Sequence, residues 1–269
     1  MKPGLAAATA SPRHRSGLTG GGHGRTIALT RRETGSVAAS AILDQLRQID
    51  LFDQLPDEKL AFVLSHATVQ TFAAASQILS NRDRSNDVFF ILSGRLQVKN
   101  YSRNGREFIF SEIGGGQLFG EFSALDGLPR SASVEAMEDS VVARMKAVDF
   151  VALLKTDFEL TFRLLRLLTA KSRGLSDRLF ELIALNARDR LCVELARLAA
   201  DGAPDGPSVM IRPAPTHYEF AARIGSHREA VTRELNQLVA RGYLRLGRKH
   251  ILVLDITRFT NELLGSSRG

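Results

Sequence analysis

The spacing of apolar residues changes along the chain, and it predicts different secondary structure in successive segments. Residues 41–49 and 57–66 have the spacing of short amphipathic helices. Short strands are predicted between 88 and 145, because brief apolar runs are separated there by Gly, Asn and Asp. Asn104-Gly105 is the clearest hairpin turn among them. This pattern favours a small antiparallel jelly roll.

A long helix is predicted over residues 156–185, where Thr156 and Glu159 have the spacing of a capping box. An apolar stripe follows with steps of three and four, formed by Leu165, Leu168, Ser172, Leu175, Leu179 and Leu182. Such steps are typical of a coiled-coil seam. A parallel homodimer through this helix is the favoured interpretation, and packing of the seam onto the chain's own roll is the alternative.

The last third of the chain has the pattern of a helix-turn-helix. A helix is predicted over 186–200, followed by a connection over 202–215. Thr216 and Glu219 form a second capping-box pattern, and Gly225 permits a tight turn between two short amphipathic helices. Strands predicted at 243–246 and 251–254 enclose a basic tip, which makes the motif a winged helix-turn-helix.

Together these patterns predict an α+β protein with four parts. A disordered basic tail covers 1–40, because this segment is rich in Gly, Ser, Thr and Arg and has no sustained apolar period. The tail could contact DNA or have no role, and both interpretations stay open. An antiparallel β jelly-roll domain covers 41–154, a long dimerisation helix 155–185, and a C-terminal winged helix-turn-helix domain 186–262.

Charge is distributed unevenly between these parts. Residues 1–40 carry six basic and one acidic side chain, residues 41–154 carry 11 and 15, and residues 155–269 carry 19 and 13. A basic C-terminal part beside an acidic roll indicates that the C-terminal part meets a polyanion.

The composition excludes several classes of protein. No apolar run is long enough to span a bilayer and no secretory pattern is found, so a cytoplasmic location is expected. The single cysteine, Cys192, excludes an internal disulfide and a four-thiolate cluster within one chain, and its apolar neighbours predict a buried thiol.

Residues 119–134, with the sequence FGEFSALDGLPRSASV, contain the most informative motif of the chain. Gly120 lets the backbone approach a ligand closely, because glycine has no Cβ. Arg130 offers a rigid fork of donors to phosphate oxygens, and Ser131 adds a further donor. Glu121 is an acceptor suited to sugar hydroxyls. The motif therefore predicts an anion site that also binds a sugar.

This segment closely resembles the phosphate-binding cassette of cyclic-nucleotide-binding domains, found in CRP/FNR-type regulators and in kinase regulatory subunits. The resemblance implies that Glu121 holds the ribose 2′-OH and that Arg130 and Ser131 hold the cyclic phosphate. It also places Leu175 and Ser176 of the long helix at the purine, with a hydroxyl kept only at Ser176. The implied ligand is cyclic AMP, with cyclic GMP also open. The predicted ligand-binding residues are Gly120, Glu121, Phe122, Ser123, Arg130, Ser131, Ala132 and Ser176.

The second helix of the helix-turn-helix has polar side chains opposite its apolar stripe, namely Arg228, Glu229, Thr232, Arg233 and Asn236. Arg can donate two hydrogen bonds to guanine O6 and N7, and Glu can accept one from cytosine N4. Arg228, Glu229 and Arg233 resemble the base-contacting Arg-Glu-x-x-x-Arg of the CRP/FNR superfamily. This resemblance implies double-stranded DNA as the partner, with palindromic half-sites similar to TGTGA.

Two features near the start of this helix affect the DNA prediction. His227 stands where many relatives carry Ser or Thr, and a contact with the DNA backbone is favoured for it. Ser226 and Glu229 have capping-box spacing, which would turn Glu229 back onto its own helix. The predicted DNA-binding residues are Thr216, Ser226, His227, Arg228, Glu229, Thr232, Arg233, Arg248 and Lys249.

These features are compatible with three functions. The leading one is a homodimeric transcriptional regulator switched by a cyclic nucleotide, with RNA polymerase as a possible further partner. The second keeps the DNA-binding module, but its roll binds no cyclic nucleotide or senses another signal, which Leu175 supports. The third, an enzyme such as a phosphodiesterase, is disfavoured because the six histidines do not cluster as metal ligands would. No metal or catalytic cofactor is expected.

Overall fold

The computed structural model describes residues 25–27 and 36–265 of the chain, with side chains from residue 40 onward. The helices are α1 (Ser36–Arg47), α2 (Asp57–His66), α3 (Glu121–Asp126), α4 (Ala147–Thr156), α5 (Phe158–Ala184), α6 (Ala187–Ala200), α7 (His217–Ile224), α8 (Arg228–Ala240) and α9 (Ile256–Leu263). The strands are β1 (Arg25–Ile27), β2 (Ala67–Phe72), β3 (Gln77–Leu79), β4 (Val88–Ser93), β5 (Arg95–Tyr101), β6 (Glu107–Gly114), β7 (Leu118–Phe119), β8 (Ser133–Ala136), β9 (Ser140–Met145), β10 (Ala203–Asp205), β11 (Ser208–Ile211), β12 (Leu244–Gly247) and β13 (His250–Val253).

Two antiparallel sheets form the predicted roll. One has the strand order β1-β2-β9-β4-β7 and the other β3-β8-β5-β6. The inner strand β4 is a continuous apolar run because both of its faces are covered. Phe90 packs in the core that the first sheet shares with the helices, whereas Phe89 and Ile91 pack in the core between the sheets. The predicted jelly roll and its α+β class are therefore confirmed.

The hairpin of β5 and β6 reaches out from the second sheet. Its strands pair from Arg95 opposite Gly114 to Tyr101 opposite Glu107. Gly105 closes the turn with a φ of +78°, which a residue with a side chain rarely adopts. The turn predicted at Asn104-Gly105 is thus present, and residues 102–106 form the tip of the hairpin.

The predicted disordered tail, 1–40, lies mostly outside the described residues. Within it, Arg25–Ile27 forms β1 and pairs with β2, and α1 begins at Ser36. Regular structure thus replaces the expected disorder at these positions, because β2 would otherwise present an unpaired edge.

The capping box predicted at Thr156 is wrong. Thr156 ends a separate helix, α4, and its hydroxyl donates to the carbonyl of Leu153 at 2.8 Å. Asp157 caps α5 instead, because its carboxylate accepts from the N–H of Leu160 at 3.0 Å. The same carboxylate pairs with Lys59, and this hydrogen bond lowers the pKa of Asp157.

Helix α5 packs one side onto the roll and leaves another side apolar and open. Leu160 and Leu164 are buried in the roll's core, and Leu168 packs against it. The apolar side chains that remain exposed are Phe158, Phe162, Leu165, Leu175, Leu179, Phe180, Leu182 and Ile183. The predicted seam is therefore divided, since Leu168 packs on the roll and Leu175, Leu179 and Leu182 line a cavity against β6, whereas Leu165 remains open.

The C-terminal domain has a core of its own, built from α6 to α9 and a sheet of order β10-β11-β13-β12. Strands β10 and β11 lie in the segment predicted as a plain connection, and α9 was not predicted. Cys192 of α6 is 1% exposed, which confirms the buried thiol. Burial raises its pKa to about 11.

Among the described residues, none of the helices combines the length and the apolarity that a membrane crossing requires.

Candidate functional site

Arg130 is the most enclosed charged group of the predicted anion site. Its side chain is held by three hydrogen bonds, from Nε to Ser85 Oγ at 3.1 Å, from Nη1 to the Gly120 carbonyl at 2.8 Å and from Nη2 to the Asp87 carbonyl at 2.7 Å. Burial lowers the pKa of Arg130, and the nearby carboxylate of Asp87 opposes this shift. The guanidinium group is therefore pre-oriented by the chain itself, which favours tight binding of an anion.

Gly120 makes this position of Arg130 possible. Its φ is +83°, and a Cβ on it would lie 2.7 Å from Arg130 Nη1 and 2.7 Å from the Asp87 carbonyl oxygen. Both contacts are shorter than a carbon atom permits, so only glycine fits between the two groups. The close approach predicted for Gly120 is present, but its immediate neighbour is Arg130.

Glu121 is 4% exposed and forms an ion pair that the sequence did not predict. Its Oε1 accepts from Nζ of Lys171, on α5, at 2.7 Å, and Lys171 Nζ lies 3.3 Å from the carbonyl of Leu118. The expected ribose acceptor is thus already bonded to the long helix. Lys171 lies 50 residues after Glu121 in the chain. In the sequence, the only indication of its role was its position one helical turn before Leu175.

The remaining predicted ligand residues occupy the cassette or α5. Ser123 is 2% exposed, whereas Phe122 is 40% exposed on the short helix α3. Ser131 is exposed and Ala132 half-buried, and the Ser131 carbonyl accepts from Nδ2 of Asn100 at 3.0 Å. This last bond connects the cassette to β5.

Ser176 is exposed on α5, and its hydroxyl donates to the carbonyl of Ser172 at 3.1 Å. The preceding residue, Leu175, lines a cavity between α5 and the hairpin strand β6, where it faces Phe108 and Phe110. The two residues expected near the purine therefore lie on different sides of the helix, one towards the roll and one towards solvent.

The polar side of α8 is accessible, as the sequence predicted. Arg228, Glu229 and Arg233 are exposed, and they line one open surface together with Thr232 and Asn236. An α-helix with such a face fits the width of the DNA major groove. The predicted base-contacting residues are thus brought together on one surface.

Thr232 has a contact that the sequence did not indicate. Its hydroxyl donates to the Arg228 carbonyl at 2.9 Å and lies 2.8 Å from Nδ1 of His217 at the start of α7. The two helices of the motif are thereby connected by a side-chain bond in addition to the tight turn at Gly225, whose φ is +62°.

Helix α8 begins at Arg228 with His227 as its N-cap residue, so the capping box predicted from Ser226 to Glu229 is wrong. A box needs its cap three residues before the glutamate, and His227 precedes Glu229 by two. Glu229 is exposed rather than turned back onto the cap. Ser226 itself is only 9% exposed.

Other predicted DNA contacts lie at the edges of the motif. Thr216 caps α7 in the predicted box, with its hydroxyl accepting from the Glu219 N–H at 3.2 Å. Arg248 and Lys249 are exposed in the turn between β12 and β13, which forms the predicted wing. Within the described part of the chain, His, Cys, Asp and Glu form no group able to hold a metal ion.

Comparison with known protein families gives two matches. The family described as cyclic nucleotide-binding domain matches residues 69–157, and the Crp-like helix-turn-helix domain matches residues 189–261. These boundaries enclose the cassette and α8, respectively.

Individual relatives extend over most of the chain. It is 32% identical over 197 residues to the cyclic AMP receptor protein of Thermus thermophilus, which covers 73% of this chain and 88% of that protein. It is 24% identical over 218 residues to the CRP-like cAMP-activated global transcriptional regulator of Mycobacterium tuberculosis, covering 81% and 97%.

A solved structure supports the fold. The c-di-GMP responsive global regulator CLP of Xanthomonas campestris superimposes with a TM-score of 0.66, covering 74% of this chain and 99% of that one. Its sequence is 17% identical, so this likeness concerns the fold alone.

Proposed function

The chain belongs to the CRP/FNR family of DNA-binding transcriptional regulators, and from this premise we propose that it is a homodimer switched by a cyclic nucleotide. Cyclic AMP is the favoured effector, with cyclic GMP as the other nucleotide. Members of the family regulate transcription and are not enzymes. The proposal further includes RNA polymerase as a possible partner and the cytoplasm as the location, because a transcriptional regulator acts where genes are transcribed.

The observation that carries the effector proposal is the convergence of Arg130, Glu121 and Lys171. Arg130 offers donors to a cyclic phosphate, and Glu121 offers an acceptor to a ribose hydroxyl. Lys171 belongs to α5, so a ligand that competes for Glu121 would act on the roll and on the long helix together. A ligand with such differential contacts can shift the position of α5.

The DNA half of the proposal rests on the exposed side of α8. Arg228, Glu229 and Arg233 are oriented outward at the spacing of TGTGA-reading relatives, and a palindrome of such half-sites suits a two-fold dimer. The two recognition helices of the dimer would then lie about 34–36 Å apart, which is one turn of DNA. Thr216, Ser226, His227, Arg248 and Lys249 are proposed to contact the DNA backbone.

The dimer half rests on α5. Phe158 is 76% exposed and Ile183 is 77% exposed, at opposite ends of one apolar side of the helix. Apolar side chains along a whole helix require a cover, and a second copy of α5 provides one of matching length and chemistry.

The second candidate is a regulator whose roll senses another molecule. Leu175 favours it, because an apolar side chain stands where a polar contact with the purine was expected. The fold also accommodates other ligands, since the Xanthomonas campestris neighbour is described as responsive to c-di-GMP.

The experiment that tests the proposal is calorimetric titration of the purified protein with cyclic AMP, cyclic GMP and c-di-GMP. For the nucleotide that binds, Arg130→Ala should weaken the affinity about tenfold or more, because a hydrogen bond to a charged group contributes about 1.5–3 kcal/mol. Fluorescence anisotropy with a palindromic TGTGA duplex should show tighter DNA binding when that nucleotide is present.

Arg144→Ala is the matched control. This variant also loses a guanidinium group beside Asp87, but Arg144 contacts the Asp87 carboxylate and not its main-chain carbonyl. This variant should keep the affinity of the unsubstituted protein. Thermal unfolding of both variants separates lost binding from lost folding. Equal affinities in Arg130→Ala and the unsubstituted protein would refute the assignment of the cassette, and no heat with any nucleotide would favour the second candidate.

A further inference from the structure

His217 and Thr232 form a side-chain hydrogen bond at the edge of the proposed DNA-contacting face. His217 is the first residue of α7, directly after Thr216, and Thr232 lines the open polar surface of α8. Nδ1 of His217 lies 2.8 Å from the hydroxyl oxygen of Thr232. Neither side chain belongs to the proposed base contacts.

The hydroxyl of Thr232 determines which ring nitrogen of His217 carries a hydrogen. It donates its single hydrogen to the Arg228 carbonyl at 2.9 Å, because a carbonyl oxygen can only accept. Towards His217 the hydroxyl must therefore accept, so Nδ1 of the ring is protonated. In the neutral imidazole, Nε2 is then the nitrogen without a hydrogen, and it can only accept.

Nε2 is the nitrogen of His217 that remains available to DNA. Within residues 40–265 it has no hydrogen-bond partner, and it is not buried, because Nε of Arg223 is the one buried side-chain nitrogen or oxygen there that lacks a partner. The His217 side chain as a whole is half-buried. Nε2 therefore reaches solvent one residue after Thr216, which is exposed and is proposed to contact the DNA backbone.

The protonation state of His217 decides whether Nε2 can bind a phosphate. A phosphate oxygen accepts hydrogen bonds, so it repels the lone pair that neutral Nε2 presents. The imidazolium presents an N–H and a positive charge instead, and forms a charge-assisted hydrogen bond with the same oxygen. An imidazole gains this second proton close to neutral pH. The phosphate contact is therefore available only to the protonated ring.

The charged and titratable side chains around this pair leave Nε2 without an anion. They are Glu219 on α7, His227 before α8, Arg228, Glu229 and Arg233 on α8, and Lys249 in the wing. Of the two carboxylates, that of Glu219 accepts from the N–H of Thr216 at 2.6 Å, and that of Glu229 is exposed. A DNA phosphate is therefore the anion with which an imidazolium at His217 can pair.

We propose that His217 is a further DNA contact that operates only as an imidazolium, and that Thr232 is its positioning residue rather than a contact itself. Binding of each half-site then takes up a proton at His217, so the affinity for DNA rises as the pH falls through neutrality. This proposal rests on the DNA half of the proposed function and does not involve the effector.

The first test measures affinity for the palindromic TGTGA duplex by fluorescence anisotropy at about pH 6 and about pH 8. The unsubstituted protein should bind about three- to tenfold more tightly per half-site at the lower pH, as expected for one charged hydrogen bond. His217→Gln should lose this gain. His217→Arg should bind tightly at both pH values, because arginine keeps its charge.

His66→Gln is the matched control, since it removes an exposed imidazole from α2 on the roll. This variant should keep the gain in affinity at the lower pH. Any contribution of His227 is common to all of these variants and cancels in the comparison. An equal gain in His217→Gln and His66→Gln would overturn the proposal.

Salt dependence distinguishes a phosphate contact from a purely structural role of His217. One additional phosphate contact steepens the plot of log affinity against log salt concentration by about 0.9. In the unsubstituted protein and in His66→Gln, the slope should be steeper at the lower pH by about that amount per half-site. The difference should shrink accordingly in His217→Gln. A slope that does not change with pH in the unsubstituted protein would refute the contact.

The role of Thr232 is tested with Thr232→Val and Thr232→Ser. Valine has the shape of threonine but no hydroxyl, so neutral His217 becomes free to carry its hydrogen on Nε2 and to donate it to a phosphate. The gain in affinity at the lower pH should therefore shrink in Thr232→Val and persist in Thr232→Ser. Thermal unfolding of both variants controls for folding. Equal gains in the two variants would exclude Thr232 as the positioning residue.

NMR separates failure of this proposal from failure of the proposed function. In the full chain with ¹⁵N-labelled histidine, the His217 signals are those that His217→Gln lacks. Above neutral pH and without DNA, they should show a hydrogen on Nδ1. A hydrogen on Nε2 would overturn the proposal even if the palindrome binds. A hydrogen on Nδ1 in a protein that binds no palindrome at either pH would reject the DNA half of the proposed function, and the His217 contact with it.

Discussion

At the scale of the residue, the predicted anion site depends on a backbone contact that is too close for any side chain larger than that of glycine. Gly120 lies between Arg130 and the Asp87 carbonyl, where a Cβ would come within 2.7 Å of both. The sequence alone indicated that Gly120, Glu121 and Arg130 form an anion site, because their chemistry and spacing are local. It could not indicate Lys171, since an ion pair between positions 50 residues apart depends on how α5 crosses the roll.

Gly120→Ala should destabilise the protein and abolish binding at the cassette. Its control is Gly127→Ala, which has a similar φ of +72° but no atom within 4 Å of the added Cβ. The control should cost about 1–2 kcal/mol for the left-handed backbone alone. Gly120→Ala should cost clearly more in urea unfolding, because Arg130 or Asp87 must move. Equal free energies of unfolding in the two variants would show that the close contact at Gly120 has no consequence.

Arg228→Ala should lower DNA affinity in a sequence-dependent manner. A bidentate contact with guanine contributes about 1–3 kcal/mol at one base pair, so the variant should tolerate substitutions at that position of the half-site. Arg248→Ala in the wing should instead weaken binding to all duplexes alike and reduce the salt dependence. The measurement is anisotropy against a set of single-base variants of the palindrome. A uniform loss in Arg228→Ala would identify it as a phosphate contact.

At the scale of the element, the sequence predicted where helices and strands lie better than how they end. The box at Thr216 is present because its glutamate belongs to the same helix turn. The one at Thr156 failed because Asp157 is a competing cap one residue later, and its carboxylate is also drawn to Lys59. The spacing of nearby residues does not show which of two adjacent residues caps a helix when an ion pair with a distant lysine stabilises one of them.

The same limit applies to the seam of α5. Apolar residues spaced three and four positions apart identify a helix with an apolar side. They do not show which of those residues pack against the chain's own roll. Leu168 packs on the roll, and Leu175, Leu179 and Leu182 line the cavity against the hairpin, while Phe180 and Ile183 remain on the open side. The proposed dimer contact is therefore rotated from the predicted seam towards Phe158 and Ile183.

Leu165→Glu should convert the proposed dimer into monomers, because a charge would be buried between two helices. Ala170→Glu adds the same charge at an exposed position nearly opposite on α5 and should leave the dimer intact. Sedimentation equilibrium distinguishes the two variants. A monomeric control, or a dimeric Leu165→Glu, would exclude this side of α5 as the interface.

At the scale of the whole molecule, the roll and the C-terminal domain have separate cores, and ion pairs such as Glu112–Arg223 connect them. The cores of the roll and of the C-terminal domain were predictable from apolar periodicity. The ion pair between Glu112 and Arg223 was not, because both are ordinary charged residues 111 positions apart. The two residues form a pair only because β6 and α7 pack against each other in the folded protein.

This arrangement predicts how an effector changes DNA affinity. If the effector shifts α5 within dimers that already exist, its effect on DNA affinity does not depend on protein concentration. The ratio of DNA affinities with and without the bound nucleotide should be equal at two protein concentrations tenfold apart. By linkage, saturating DNA should raise the affinity for the nucleotide by that same factor. A ratio that shrinks as protein concentration rises would instead mean that the effector acts by bringing two copies of α5 together.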